Sequence, residues 1–190
     1  MISNKTIFIY WIFPKKWLNL VTMKRIFLGF GSNIGKSQIT VAEAIKLISE
    51  NDNFNLISKS SLYRTEPLLY KEQDYFVNCV AEYSTNLSAE SLLKYIHKIE
   101  NKYYRERNPE LQYGPRTLDI DILFYNDETI DTDILQIPHP RFSERKFVLI
   151  PMAEIASNYE INNKKIISYL NECSDSSKVG ILEWKDQHIT

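Results

Sequence analysis

Residues 114–123 have the sequence Gly-Pro-Arg-Thr-Leu-Asp-Ile-Asp-Ile-Leu, which places two carboxylates at alternate positions of an apolar run. This alternation predicts a strand, because successive side chains of a strand point to opposite faces. Leu118, Ile120 and Ile122 would then face a core. Asp119 and Asp121 would share the other, solvated face, about 7 Å apart along the backbone at the usual strand rise.

The acidic pair has two interpretations. Carboxylate oxygens suit Mg²⁺, and side chains that lean together can hold two cations ~3.5–4 Å apart, as two-metal phosphoryl chemistry requires. Arg116, directly before the strand, would complete an anion site. In the alternative interpretation, the charges only keep a strand face soluble. The order of a Gly-Pro turn, an arginine and two acids favours the metal interpretation.

The rest of the chain predicts alternating strands and helices. The predicted strands cover residues 25–30, 56–63, 76–83 and 118–125, and the predicted helices are 37–50, with Ser37 as N-cap, and a second one opened by Ser88. The order βαββαβ predicts an α+β, ferredoxin-like core, in which helices pack on one face of an antiparallel sheet. Shorter helices or turns at 147–155 and 166–170 would form C-terminal additions.

Composition limits the class of protein. A chain of 190 residues with 44% hydrophobic and 25% charged residues fits one globular domain with a continuous core. The net charge of −1 argues against a nucleic-acid protein that works through a broad basic face. Cys79 and Cys173 show neither a metal-binding nor a disulfide pattern, which predicts free thiols and a cytoplasmic protein.

The first 22 residues differ from the rest. Residues 7–13 form an apolar, aromatic run that is too short to span a bilayer and has no signal-peptide cleavage site. We interpret residues 1–22 as an extension and residues 23–190 as the domain, with Met23 as a candidate start. A weak membrane-surface anchor is the alternative.

The glycine-rich segment 29–35 fits neither common nucleotide-binding motif. A P-loop needs four residues between its first Gly and Gly-Lys-Ser, whereas Gly31 leaves three and Gly29 leaves five before Gly35. The Rossmann fingerprint fails because three residues, not two, separate Gly31 from Gly35. The segment instead predicts a sharp turn from strand to helix, capped by Ser32 and Asn33.

Four segments, in order, resemble the 6-hydroxymethyl-7,8-dihydropterin pyrophosphokinase family: residues 29–35, 63–68, 114–123 and 137–142. The resemblance covers about residues 23–172. It implies an ATP-dependent pyrophosphokinase of folate biosynthesis. Such an enzyme transfers pyrophosphate from Mg-ATP to the hydroxymethyl group of the pterin, giving a pterin diphosphate and AMP.

The candidate phosphate-binding residues are identified partly by their chemistry and partly by the resemblance. Arginines bind phosphate oxygens bidentately and stay charged, so a set of them beside two carboxylates suggests a polyphosphate; the set is Arg105, Arg107, Arg116, Arg141 and Arg145. The prolines on either side of His139 fix its backbone. By resemblance, two Mg²⁺ ions bind Asp119 and Asp121, the catalytic residues are Arg105, Arg116 and His139, and the ATP contacts are Glu100, Arg107, Ile122 and Arg145.

The pterin site requires flat apolar walls and a few amide-type partners. From their type alone, Phe76 and Phe147 are better explained as core residues. The resemblance assigns both to the pterin and implies the substrate-binding set Thr65, Leu68, Phe76, Asn78, Tyr113 and Phe147. Tyr113 stands where the family commonly has a tryptophan.

Two other functions compete with this one. A ferredoxin-like module that stacks RNA bases would not place paired acids on its sheet, and the RNP1 pattern is absent from the sequence. A γ-phosphoryl kinase stays open, because metals and arginines serve both reactions. The expected partners are ATP and the pterin alcohol, without nucleic acid or membrane, in a monomer; association with the next folate-pathway enzyme is left open.

Overall fold

The computed structural model describes residues 23–68, 71–103 and 114–183. Its strands are β1 Lys24–Ser32, β2 Phe54–Lys59, β3 Tyr63–Thr65, β4 Phe76–Thr85, β5 Asp119–Tyr125, β6 Ile130–Asp131, β7 Gln136–Ile137, β8 Glu160–Ile161, β9 Lys164–Lys165 and β10 Val179–Ile181. The main sheet has six strands in the order β10-β3-β4-β1-β5, with β2 also paired to β4. All its pairings are antiparallel. The strands β6 with β7, and β8 with β9, form two small hairpins.

Helices cover both faces of the sheet. They are α1 Ser37–Ser49, α2 Ala89–Lys102, α3 Lys146–Ala156 and α4 Ile166–Glu172, and a short 3-10 helix spans Phe142–Glu144. Ile26 and Leu28 of β1 pack with α1 and α2 in one core. Phe27, between them, packs with α3 and α4 in a second core on the opposite face. The ferredoxin-like βαββαβ order is confirmed, and the C-terminal additions pack on the face that α1 and α2 leave open.

The predicted strand over residues 56–63 is wrong in one respect, because the structure divides it into β2 and β3. The break lies at Ser60, whose hydroxyl accepts a hydrogen bond from the Val80 N–H (3.0 Å) while its own N–H donates to the Val80 carbonyl (2.9 Å). The next residue, Ser61, donates its N–H to the Glu154 carboxylate of α3. Side chains therefore replace the regular ladder at this bend.

Of the two predicted helix N-caps, the one for α2 is confirmed and the one for α1 is wrong. Ser88 caps α2 as expected, accepting a hydrogen bond from the Ser91 N–H at 3.3 Å. The Ser37 prediction is wrong, because Ser37 is the first helical residue of α1 and Lys36 occupies the N-cap position without a side-chain cap. Gly35 has a φ of +70°, so the glycine serves the turn before α1 as expected.

Strand register determines which residues meet at the open end of the sheet. Gly31 of the central strand β1 lies opposite Asn78 in β4 and Asp119 in β5, and Gly29 lies opposite Asp121. The two glycines therefore stand beside the two aspartates without covering them.

Two further expectations concern membrane spanning and the N-terminal extension. In the part of the chain that the structure describes, no helix is long and apolar enough to cross a membrane. The predicted extension, residues 1–22, lies outside the described residues, so the domain boundary at residue 23 stays a prediction.

Candidate active site

A cavity of about 450 Å³ opens at this end of the sheet, on the face covered by α3. It brings together most of the predicted site residues, namely Thr65, Leu68, Phe76, Asn78, Arg116, Asp119, Asp121, His139, Arg145 and Phe147. These residues come from β3, β4, β5, α3 and the loops between them. Segments far apart in the sequence therefore converge on one concave site, as expected of a substrate pocket.

Asp119 and Asp121 point into the cavity from β5, with side chains 15% and 35% exposed. The Arg116 guanidinium donates a hydrogen bond to the Asp119 carboxylate. Asp121 Oδ2 lies 3.9 Å from His139 Nε2 and 3.8 Å from Arg145 Nη1. The acidic pair is thus surrounded by groups that can also bind phosphate oxygens.

The donor set of this pair fits Mg²⁺ bound together with a polyphosphate. Mg²⁺ prefers oxygen ligands and is commonly held by one or two carboxylates, with substrate phosphates and water completing the octahedron. Among the described residues there is no group of three or more His, Cys, Asp or Glu side chains that could hold a metal. Asp119 and Asp121, which line the same cavity, could hold Mg²⁺ together with substrate phosphates.

His139 is held by hydrogen bonds on both its backbone and its ring. Its N–H donates to the Leu123 carbonyl (2.9 Å), and its Nδ1 accepts from the Arg141 N–H (3.2 Å). Nδ1 is therefore the unprotonated nitrogen, and in the neutral ring the proton is on Nε2, toward Asp121. Burial, together with the charges of Arg145 and Arg141, lowers the pKa of His139 to about 4. His139 is thus a neutral hydrogen-bond donor at pH 7.

Two aromatic side chains form walls of the same cavity. Phe76 and Phe147 are both half-buried and line it, rather than lying wholly within a core. The Arg116 Cζ lies 5.9 Å from the Phe76 ring centroid, and the Arg145 Cζ lies 5.4 Å from that of Phe147. Each wall is thus adjacent to an arginine guanidinium group.

Asn78 supplies an amide at the base of this pocket. It is 6% exposed, and its Nδ2 donates to the Thr65 hydroxyl at 2.6 Å. This bond fixes the amide and directs Oδ1 toward Gly31. A planar heterocycle could use these polar groups at its edge and the aromatic walls at its faces.

Asn33 has a role that the sequence did not reveal. It was expected to cap a turn, but its Nδ2 donates to Gln73 Oε1 (3.0 Å) and to the Asp74 carbonyl (3.2 Å). Its Oδ1 accepts from the Arg116 N–H (2.7 Å), and its own N–H donates to the Arg116 carbonyl (3.0 Å). Asn33, which is 4% exposed, therefore joins two segments that line the cavity.

Two predicted ATP-binding residues lie outside the cavity. Glu100 is 1% exposed, and its Oε1 accepts from the Ile120 N–H at 2.9 Å, so its carboxylate anchors the start of β5. Ile122 lines a neighbouring groove that shares Asp121 and His139 with the cavity. Arg105, Arg107 and Tyr113 lie outside the described residues.

Some lining residues had no signal in the sequence. Gln73 and Glu144 line the cavity. Gln73 belongs to an irregular segment and Glu144 to a short 3-10 helix, where no periodic pattern indicates which way a side chain points. A single sequence offers no other indication of their place.

Comparison with known proteins identifies the family. A family model described as 7,8-dihydro-6-hydroxymethylpterin-pyrophosphokinase (HPPK) matches residues 27–157. The 2-amino-4-hydroxy-6-hydroxymethyldihydropteridine pyrophosphokinase of Bacillus subtilis is 37% identical over 161 residues, covering 85% of this chain and 90% of the relative. A folate synthesis bifunctional protein of Arabidopsis thaliana is 38% identical over 157 residues, which are 83% of this chain and 32% of the relative.

A solved structure agrees in fold. The crystal structure of wild-type Plasmodium falciparum HPPK-DHPS with pteroate matches with a TM-score of 0.60, covering 79% of this chain and 42% of that one. At 17% identity this likeness supports the architecture alone. The family match and the Bacillus subtilis relative, which this chain covers almost completely, decide the identity. This chain belongs to the 7,8-dihydro-6-hydroxymethylpterin-pyrophosphokinase family.

Proposed function

We propose that this chain transfers the pyrophosphoryl group of Mg-ATP to the hydroxymethyl oxygen of 6-hydroxymethyl-7,8-dihydropterin, releasing AMP. The observation that carries the proposal is the composition of one cavity. Aromatic walls and a fixed amide meet an acidic pair surrounded by cations. A flat heterocycle and a metal-bound polyphosphate could therefore lie next to each other in this site.

The pterin would occupy the part of the cavity bounded by Phe76, Phe147 and Asn78. Its planar ring suits the aromatic walls, and its polar edge suits the Asn78 amide and the main chain around Thr65 and Leu68. The hydroxymethyl group would then point toward Asp119 and Asp121. This arrangement would hold the attacking oxygen about 3–3.5 Å from the phosphorus, the separation typical of reactive geometries.

The phosphate part of the site works mainly by positioning and electrostatics. The pterin hydroxyl oxygen forms a bond to the β-phosphorus and its proton is released to water, the bond between that phosphorus and the α,β-bridging oxygen breaks, and AMP leaves with the electron pair. When bound at Asp119 and Asp121, two Mg²⁺ ions would neutralise phosphate charge. Arg116 and Arg145 would bind phosphate oxygens, and His139 would donate its Nε2 hydrogen to one of them.

The groove beside the cavity is the place we propose for the rest of ATP. Ile122 and His97 line it, and it shares Asp121 and His139 with the cavity. A nucleotide extending from the acidic pair along this groove would contact Ile122, as the sequence predicts. Arg105 and Arg107 remain proposed phosphate ligands.

The proposal also covers the compartment, the oligomeric state and the partners of the enzyme. We propose that the enzyme acts in the cytoplasm as a monomer. Cys79 and Cys173 are both free, as expected of a protein from a reducing compartment. Association with a second enzyme of folate synthesis is supported by relatives in which this domain is one part of a longer chain, such as the bifunctional protein of Arabidopsis thaliana.

Product analysis tests the reaction directly. The chain would be incubated with ATP, Mg²⁺ and the pterin alcohol, and the nucleotides separated by chromatography. We expect AMP and the pterin diphosphate in equal amounts, and no AMP when the pterin is omitted. The variant Arg116→Ala should form AMP more slowly without forming ADP, because its role is to stabilise charge. ADP as the main product would replace this proposal with a γ-phosphoryl kinase.

A further inference from the structure

The polypeptide after α4 contacts two sides of the cavity within a short stretch. Asp175 Oδ2 accepts a hydrogen bond from the N–H of Lys146, the first residue of α3, at 2.9 Å. The Lys178 carbonyl accepts from the N–H of Glu66, which directly follows β3, at 3.1 Å. We name residues 175–179 the C-terminal strap.

At α3, the strap holds the end of the helix that carries two cavity residues. Arg145 and Phe147 flank Lys146 and both line the cavity. Arg145, at the N-cap position, makes no side-chain capping bond, so Asp175 supplies an acceptor to the first turn from another part of the chain. A carboxylate is also favoured at the positive end of a helix dipole.

Asp175 is itself held in place. Its Oδ1 accepts from the Ser177 N–H at 2.8 Å while Oδ2 contacts Lys146. Burial opposes ionisation of this group, but these hydrogen bonds outweigh it and lower the pKa of Asp175. The group is therefore an ionised carboxylate at neutral pH, with both oxygens committed to main-chain donors.

At β3, the strap holds the main chain on the other side of the pocket. Val179 begins β10 and pairs with Thr65, the residue whose hydroxyl accepts from Asn78. Lys178 Nζ also lies 3.5 Å from Glu66 Oε1. The strap therefore contacts the backbone that carries Thr65 and Glu66, both of which line the cavity.

We propose that the C-terminal strap fixes the spacing between the Phe147 side and the Thr65 side of the pterin pocket, with Asp175 as a positioning residue. Asp175 does not line the cavity and touches no reacting atom. Its effect on the pterin pocket would pass through Lys146 to the neighbouring Phe147. This inference rests on the proposed function, since it assigns the pocket to the pterin.

Graded variants of Asp175 test the proposal. Asp175→Ala removes both acceptors, and Asp175→Asn keeps one acceptor oxygen. We expect the KM for the pterin alcohol to rise about tenfold in Asp175→Ala and by an intermediate factor in Asp175→Asn. The KM for ATP should change less, and kcat at saturating pterin should stay within about threefold of wild type. Fluorescence titration of the pterin alcohol, with a non-hydrolysable ATP analogue present, should show the same order of affinities without turnover.

The matched control is Glu172→Ala, which removes an exposed carboxylate bonded to Lys164 at the end of α4, away from the cavity. It should leave both KM values within twofold of wild type. A pterin KM and Kd in Asp175→Ala within twofold of the control would overturn the proposal, as would equal rises in both KM values. If Asp175→Ala does not fold, the same limits apply to Asp175→Asn. Failure of the wild-type chain to form AMP would instead contradict the proposed function.

Discussion

Gly31 approaches Asn78 so closely that a β-carbon at Gly31 would lie 3.0 Å from the Asn78 Oδ1 atom. Asn78 has little room to move away, because it is buried and its Nδ2 is bonded to Thr65 at 2.6 Å. Gly31 also lies opposite Asp119 in the neighbouring strand. The absence of a side chain at this position therefore keeps both the amide and the acidic pair accessible from the cavity.

Replacing Gly31 with alanine should therefore weaken pterin binding. The new methyl group would displace Asn78 Oδ1 by a few tenths of an ångström or rotate the amide away from Thr65. We expect the KM for the pterin alcohol to rise about tenfold, which corresponds to about 1.4 kcal/mol of binding free energy. Steady-state kinetics with each substrate varied in turn would measure it.

Gly180→Ala is the matched control, because a β-carbon at Gly180 would meet no heavy atom within 4 Å. Gly180 lies in β10, another strand of the same sheet, so the control reports the general cost of the substitution in a strand. Equal pterin KM values in the two variants would show that the contact between Gly31 and Asn78 does not shape the pocket.

Asp119→Ala and Asp121→Ala should each abolish turnover while leaving the fold intact. Both side chains face the cavity and belong to neither core, so their loss creates no cavity in either core. Loss of metal coordination removes several kcal/mol of transition-state stabilisation, on the order of a thousandfold or more in rate. Rates of AMP formation at saturating Mg²⁺, with circular dichroism spectra of each variant, would be measured.

Asp52→Ala removes an exposed carboxylate from the turn after α1 and should keep wild-type activity. More than a tenth of wild-type activity in either cavity variant would refute the assignment of Asp119 and Asp121 as metal ligands.

Asn33→Ala should raise the KM values of both substrates. The amide joins the segment containing Gln73 to the main chain of Arg116, so its loss releases one wall of the pterin pocket and one phosphate ligand together. It also removes two part-buried hydrogen bonds to main-chain groups, each of which typically contributes about 0.5–1.5 kcal/mol of stability. Thermal unfolding and two-substrate kinetics would be compared.

Asn55→Ala provides the comparison, since Asn55 is exposed and only its 3.5 Å contact with Ser84 is lost. Asn33→Ala kinetics indistinguishable from those of Asn55→Ala would mean that the link between the two segments has no part in substrate binding.

The strands and first helices could be predicted because their periodicity reflects local rules, but β5 shows where such rules stop. Ile120 and Ile122 pack in one core, and Asp119 and Asp121 face the other side, as alternation predicts. Beyond them the register shifts, so that Phe27 pairs with Phe124 and Leu28 with Ile122. Leu123 and Phe124 consequently both pack in the second core. A bulge of this kind depends on the neighbouring strand and has no signature in the sequence of β5 itself.

The residues around the cavity likewise include some that the sequence could indicate and some that it could not. Residues with distinctive chemistry, such as the acidic pair, Arg116 and His139, could be identified from their type and motif. Asn33 could not be placed correctly, because its role depends on which main-chain groups the fold brings near it. The sequence likewise did not indicate that the buried Glu100 carboxylate accepts from the Ile120 N–H, while its contact with ATP stays a prediction. Tertiary packing alone determines such contacts, and the alternation that predicts β5 does not indicate them.

The pH dependence of stability offers a test of the state of His139. Burial and the nearby arginines lower its pKa to about 4 in the folded protein, whereas an unfolded histidine titrates near 6.5. Between these two pH values the unfolded chain binds more protons at this histidine than the folded protein does. The stability that the neutral His139 ring contributes is therefore fully present above pH 6.5 and is lost as the pH falls toward 4. His139→Gln cannot take up this proton and should lack the effect. Between pH 7 and pH 5 the wild type should lose about 2 kcal/mol more unfolding free energy than His139→Gln.

Urea unfolding of both proteins in the presence of a chelator, at half-unit steps from pH 8 to pH 4.5, would measure this difference. The chelator matters because a cation bound at Asp121 would itself change the titration of a neighbouring histidine. Other groups that titrate in this range are common to both proteins, so the difference between the two curves isolates His139. Parallel curves across the whole range would contradict a neutral, buried His139, and would favour an imidazolium paired with Asp121 instead.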